Sequence, residues 1–314
     1  MNYSLRIAIL LVALTTSALV LTTEAGTIQD KKPPAEFVDR PAPEVSAETR
    51  KEMEARLAEV RSRYEAKPND PGAIIWLGRR LAYLGRFREA IASYTEGIKK
   101  FPWDARFYRH RGHRYITLRR FDLAINDFEK ATKLIKGKPD EVEPDGQPNV
   151  RNIPTSTVQF NIWYDLGLAY YLTGQNKQAL NSYRECLKVS NNPDAVVATG
   201  HWLYMTLRRL NRIKEAAKVL QTIRDGMDVI ENHGYYRLLL MYKRTISPES
   251  LLKEASQQDG SAGSYSILYG VGNWYLYNGQ RDEALKVFRQ MVEGNQWTSF
   301  GYIAAEADLN RLIK

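Results

Sequence analysis

Four histidines, one cysteine and one acidic cluster are the groups in this 314-residue chain that could do metal or nucleophilic chemistry. His110 and His113 stand one helical turn apart and could share a metal ion, but no third ligand follows at a recognised spacing and no His-Glu-x-x-His sequence occurs. Asp140, Glu141, Glu143 and Asp145 are dense enough to suggest calcium, yet their order departs from the Asp-x-Asp-x-Asp-Gly loop with its distal glutamate. No Gly-x-Ser-x-Gly elbow, phosphate-binding loop or dinucleotide glycine pattern is present. What remains is recognition chemistry. Arginines offer forked donors to a carboxylate, and tyrosines give amphipathic contact at low entropic cost. No cofactor or metal is expected, and a metal-dependent enzyme is the least favoured reading.

The elements that must position those side chains repeat. Gly112 follows Gly78 by 34 residues, and each is followed 12 residues later by an alanine, Ala90 and Ala124; the interval returns at Gly167 with Ala179 and at Gly272 with Ala284. Between them, Leu, Tyr and Phe recur at i, i+3, i+4 and i+7, the stripe of an amphipathic helix that one hairpin cannot bury alone. A glycine on the first helix and an alanine on the second mark the closest approach of two axes roughly 8–10 Å apart, so leucine at Gly112 is expected to overpack the hairpin. Gly85 and Gly174 stop first helices, and Pro102 lies beyond a second one. A fourth unit carries Tyr204 where the glycine is expected, and a fifth, from Tyr235 to Gln258, is the most degenerate.

The clearest unit reads Trp163-x2-Leu166-Gly167-x2-Tyr170 followed by Ala179-x3-Tyr183, and so resembles the tetratricopeptide repeat family. The resemblance covers about 71–296 and implies an all-α fold, a right-handed α-solenoid superhelix of five to six helical hairpins that binds protein segments rather than catalysing a reaction. In that family the first helix of each hairpin lines an inner groove. Aligning the repeats assigns to it Arg79 and Tyr83, then Arg106, Arg109 and His113, then Tyr164, Leu168 and Tyr171, then His201, Met205 and Arg208, and finally Tyr269, Asn273 and Tyr277. The groove is expected to be basic at its amino-terminal end and tyrosine-rich toward the other, suited to an acidic or carboxylate-ended protein or peptide. Exchanging Arg79 and Arg109 for glutamate is expected to abolish binding while leaving stability nearly unchanged, as exposed substitutions do. Members that clamp a carboxy-terminal carboxylate use lysines and asparagines where this chain has Ile75, Arg79, Arg109 and His113, so the resemblance implies a binding mode without that particular clamp.

The ends and the composition give context. Arg6, an uncharged stretch from Ile7 to Thr23 and a small-residue exit at Ala25 read as a signal peptide over 1–25; the apolar part to Val20 falls short of the roughly 20 residues that span a bilayer. Export to the periplasm or beyond follows, with no stable membrane span after cleavage. Residues 26–47, with Pro33, Pro34, Pro41 and Pro43 among charges, read as a disordered tether, and 48–67 as an amino-terminal cap helix. Residues 299–313 read as a carboxy-terminal cap on the exposed end of the stack. Cys186 takes a small-residue packing position, so a buried inert thiol is expected. The net charge of +9 suits anionic partners other than nucleic acid, which an exported protein rarely meets.

One interruption stands out. Gly112 to Gly167 spans 55 residues, about 21 more than one period, and the extra Lys136 to Pro154 is rich in Pro, Gly and Asp. Insertions in solenoids fall on one face and often border the binding site. The reading is a non-catalytic interaction scaffold of the cell envelope, with a glycan- or envelope-polymer-binding module as the alternative.

Overall fold

The same local chemistry starts each hairpin. Asp70 and Asp104 accept backbone N–H bonds from Gly72 and Arg106 and so cap the helices Pro71–Tyr83 (α2) and Ala105–Thr117 (α4), with Pro71 in the first turn where its missing donor is not needed. Thr157, Asn192, Ser261 and Ser299 cap Val158–Leu172 (α6), Pro193–Arg209 (α8), Ala262–Tyr277 (α12) and Phe300–Leu312 (α14) in the same way. The second helices are Phe87–Lys100 (α3), Phe121–Ile135 (α5), Asn176–Val189 (α7), Ile213–Gln221 (α9) and Arg281–Glu293 (α13). A shorter pair, His233–Tyr242 (α10) and Pro248–Gln257 (α11), forms the degenerate unit, and Ala47–Ala66 (α1) precedes them all. The computed structural model describes residues 40–42, 44–257 and 261–313. Among them are fourteen helices and, apart from one isolated bridge between Val142 and Thr157, no extended pairing. No helix among the described residues is long and apolar enough to cross a membrane. The expected signal peptide, and the expected tether as far as residue 39, lie outside the described residues.

The small positions work as the spacing requires. A Cβ on Gly112 would stand 2.9 Å from the Phe128 ring of the facing helix. That ring is fully buried and has no room to give, so a larger side chain at 112 must part the two helices. Where the repeat would carry glycine but has Tyr204, the helix partner is short and the ring turns to the next hairpin, stacking on Tyr242 with centroids 4.3 Å apart. Cys186 is buried, its Sγ 3.2 Å from Thr199 Oγ1 on α8, and burial pushes its thiol up to about 12, so it stays protonated and unreactive at neutral pH.

The turns between paired helices take left-handed backbone at Gly85 and Gly174, and in the second hairpin at Arg119 with φ 59°. A non-glycine side chain there carries strain of order 1 kcal/mol, and Arg119 uses it. Its guanidinium donates to Glu306 (2.6 Å), Trp297 O (2.8 Å) and Thr117 O (2.6 Å), joining the second hairpin to the carboxy-terminal segment 187 residues on. Arg40 reaches the same place, donating to Tyr302 Oη at 2.7 Å, and Trp297 Nε1 donates to Pro41 O at 2.8 Å. Residues 40 and 41, expected within a disordered tether, are thus held against the folded body.

Helix α14 decides the shape of the interior. It packs on α12 and α13, and its other side turns inward onto α6. Asp308 is buried there between Arg209 of α8 and Tyr269 of α12, with Arg209 Nη1 2.9 Å from Oδ1 and Tyr269 Oη 2.9 Å from Oδ2; Arg311 pairs with it as well. Around them Tyr171, Trp202 and Tyr269 form an aromatic nest with centroids 5.2–6.5 Å apart. The main apolar core runs from Leu57 to Leu309, and a smaller cluster gathers Tyr108, Ala131, Ile135, Val158 and Ile162 where α4, α5 and α6 meet.

Candidate functional site

The inner faces of α2, α4 and α6 converge on one polar cleft. Arg79 and Tyr83 lie one turn apart on α2, while Arg109, His110, His113 and Arg114 fall on one face of α4 at i, i+1, i+4 and i+5. Asn161 and Asp165 face them from α6, and residues 143–145 of the insertion lie over the top. The cavity left between them measures about 180 Å³. At its far edge the Phe300 ring, the first residue of α14, packs 5.2 Å from His113.

The charges are incompletely matched. Arg109 lies 3.3 Å from Glu143 and 4.0 Å from Asp165, and these carboxylates hold its guanidinium charged against the cost of burial. Arg79 donates to Pro144 O at 2.7 Å. Arg114 lines the same cavity with its guanidinium over the Phe87 ring, 5.6 Å from the centroid, yet that guanidinium makes no hydrogen bond or ion pair among the described residues. Arg109 Nε, His113 Nδ1 and Asp165 Oδ2 are buried and make no well-formed hydrogen bond, but they face one another, with Asp165 Oδ2 3.4 Å from His113 Nδ1 and 4.0 Å from Arg109 Nε. Native interiors leave few such atoms. Among the described residues no group of three metal-ligating side chains comes together.

Both histidines of the cleft are held neutral. Burial is the larger cause, followed by Arg109 beside His110 and Arg114 beside His113; His113 falls to about 4 and His110 well below its ordinary value. His201, stacked between Tyr235 and Tyr242, falls to about 3 through burial alone. Unfolded histidines protonate near 6.5. The unfolded chain therefore binds protons that the folded chain refuses, and stability is full above about pH 6.5 and declines as the pH drops toward 4, by up to about 1.4 kcal/mol per histidine per unit. Melting midpoints are expected to fall between pH 7 and pH 5, and His201→Phe should make that fall shallower. Identical slopes for the two proteins would refute a buried neutral His201.

The residues assigned to the groove separate into three groups. Arg79, Tyr83, Arg109 and His113 meet in the cleft. Arg106 lies apart, gripping Asp104 of its own cap at 2.6 Å beside Trp103, and Arg208 lies over the Tyr277 ring at 4.4 Å and donates to Asn278. Tyr164, Tyr171, Tyr269 and Asn273 are corrected from groove surface to core: they are buried, Tyr269 and Tyr171 with their hydroxyls 3.0 Å apart and Asn273 against Arg209. The reason is packing, since α8, α12 and α14 fill the space that an open superhelix would leave there. Arg109 is likewise inside, its side chain only 13% exposed. Sequence reasoning missed Arg114, Asn161 and Asp165. Arg114 follows Arg109 by five residues and could have been placed on the same face of α4; the approach of Glu143 had no signal in the spacing.

Residues 77–140 and 160–193 each match the tetratricopeptide repeat family. Tetratricopeptide repeat protein 13 of Homo sapiens is 28% identical over 138 residues, which are 44% of this chain and 14% of that protein. Among solved structures, YrrB, described as a TPR protein with an unusual peptide-binding site, is 17% identical with a TM-score of 0.41, over 80% of this chain and 97% of that one. MamA from Desulfovibrio magneticus is 16% identical with a TM-score of 0.42, over 63% and 90%.

Proposed function

We propose that this chain, a tetratricopeptide repeat protein, is a non-catalytic interaction scaffold that takes a carboxylate-bearing protein segment into the cleft between α2, α4 and α6. One observation carries the reading: Arg114 stands uncompensated in a concave site where Arg79 and Arg109 already engage oxygen acceptors. An arginine that lines a cavity without a partner presents a fork matched to a carboxylate. Export to a cell envelope belongs to the same proposal and rests on residues 1–25.

The test is in-cell crosslinking of the tagged protein, followed by identification of what copurifies, beside an Arg79→Ala, Arg114→Ala variant. A partner crosslinked through the cleft and lost in the variant is expected. A partner retained at full yield by the variant would remove this site from the reading.

A second reading, binding of a glycan or envelope polymer, is favoured by a different place. Trp103 is 64% exposed and borders a depression of about 470 Å³ with Asp104, Arg106 and Gln159, an aromatic face ringed by polar groups. Cosedimentation with cell-wall material that Trp103→Ala abolishes, and the cleft variant does not, would move the function there.

A further inference from the structure

The segment Glu143 to Gly146 of the insertion already lies against the basic cleft, and the way it is held describes a ligand. We propose that this strap is a resident mimic of the partner: the partner is an extended acidic segment with glutamate before proline, and it gains the cleft by displacing the strap. The inference rests on the reading that the cleft takes a carboxylate-bearing segment.

The contacts are those of peptide recognition. The Glu143 carboxylate is the anchor, with Oε1 3.3 Å from Arg109 and 3.5 Å from His110 Nε2, and Oε2 accepting from Asn161 at 3.0 Å. On either side the main chain is read rather than the side chains: Arg79 donates to Pro144 O and Arg80 to Gly146 O, at 2.7 and 2.9 Å. A buried acidic side chain flanked by carbonyls held by arginines is a pattern that another chain could reproduce in trans. Proline in the middle keeps the segment extended, because its φ is fixed and the residue before it avoids helical backbone. Gly146 lets the chain pass against Tyr83, whose hydroxyl would lie 1.7 Å from any Cβ placed there.

The strap is also built to leave. The Glu143 side chain points in, while the apolar side chains on either side of the strap point out: Val142 is 61% exposed, Val150 fully exposed, and Ile153 exposed as well. It therefore contributes little buried apolar surface, and polar contacts hold it. Its outer turn is pinned at the rim by Arg151 to Asp228 (2.7 Å) and Asn149 to Glu231 (2.8 Å), exposed contacts of the kind that contribute little to stability. Its base is tied to the start of α6 by the bridge between Val142 and Thr157, with Val158 N–H donating to Glu141 O at 2.8 Å and Thr157 Oγ1 to Asp140 Oδ2 at 2.6 Å, so the part that can be displaced lies beyond this base, at the Glu143 side chain and residues 144–146. The cavity of about 180 Å³ beside Arg114 remains unfilled with the strap in place, which leaves a longer acidic segment more to grip than the strap does.

The experiment adds the strap sequence in trans. A labelled, end-blocked peptide of residues 140–148 is titrated by fluorescence anisotropy into the full chain, into Asn149→Ala, Arg151→Glu, which cuts the rim pins outside the cleft, and into Glu143→Gln, which removes the anchor. Freeing an intramolecular competitor is expected to tighten peptide binding about tenfold in Glu143→Gln and roughly threefold in the rim variant, whose pins are exposed. A peptide with glutamine in place of its Pro-preceding glutamate should bind at least about tenfold more weakly. Equal affinity for wild type and both strap variants would overturn the mimic. If that equal binding is lost in Arg79→Ala, Arg114→Ala, the cleft still takes acidic segments and only the displacement idea fails. Unchanged binding to the arginine variant would place the peptide elsewhere and overturn both.

Discussion

Asp308→Asn is expected to lower stability by about 3–5 kcal/mol, the loss typical when one member of a buried ion pair is removed, and the melting midpoint by roughly 10 °C. The carboxylate is fully buried and meets Tyr269, Arg209 and Arg311, and the two guanidinium charges hold it ionised against burial. Asparagine keeps the volume and one acceptor oxygen but removes the negative charge, leaving the Arg209 guanidinium inside the protein with neutral acceptors alone, Asn273 Oδ1 and Tyr269 Oη among them. The loss should spread beyond the site, because this cluster ties α14 to α8 and α12 while Arg311 donates to Leu172 O on α6. A double variant, Arg209→Met with Asp308→Leu, should recover part of the loss, since a buried pair replaced by apolar side chains can be nearly neutral. A midpoint for Asp308→Asn within about 2 °C of wild type would mean that α14 is held by its apolar face alone.

The second large effect separates two arginines that sequence reasoning treated alike. Arg109→Glu is expected to destabilise the protein by more than about 3 kcal/mol, because it sets a third buried carboxylate between Glu143 and Asp165 and removes the cation that faces both. Arg79→Glu reverses a partly exposed side chain that donates to a carbonyl and lies over Trp76, and its cost should be nearer about 1 kcal/mol. Urea denaturation of the two single variants measures the difference directly. Equal small losses would restore the expectation of an open, solvated groove. The practical consequence is that Arg79 and Arg114 are the residues with which to test binding, since a failure of Arg109→Glu to bind would follow from misfolding alone.

The repeat was legible in the chain because everything that forms a hairpin lies within one period. Gly112 meets Phe128 sixteen residues on, Asp104 caps the helix that it precedes, and Gly85 turns the chain where its neighbours require it. Such contacts are fixed by periodicity and by side-chain size, which a linear reading contains. Half of the candidate site was legible for the same reason: Arg79 and Tyr83, and Arg109 and His113, are one turn apart on first helices.

What fills the space between those helices was decided by segments far away in the chain. Arg79 meets Pro144 across 65 residues and Arg119 meets Glu306 across 187, and no period relates them. An amphipathic segment announces that it must bury one face without saying against what. For α14 the available partner was the inner face of α6, α8 and α12, so Tyr171, Tyr269 and Asn273 became core. The insertion announced acid, proline and glycine; only the fold brought Glu143 to Arg109 and left Arg114 open beside it. Repetition thus set the helices, and long-range packing set which of their inner faces still meet solvent.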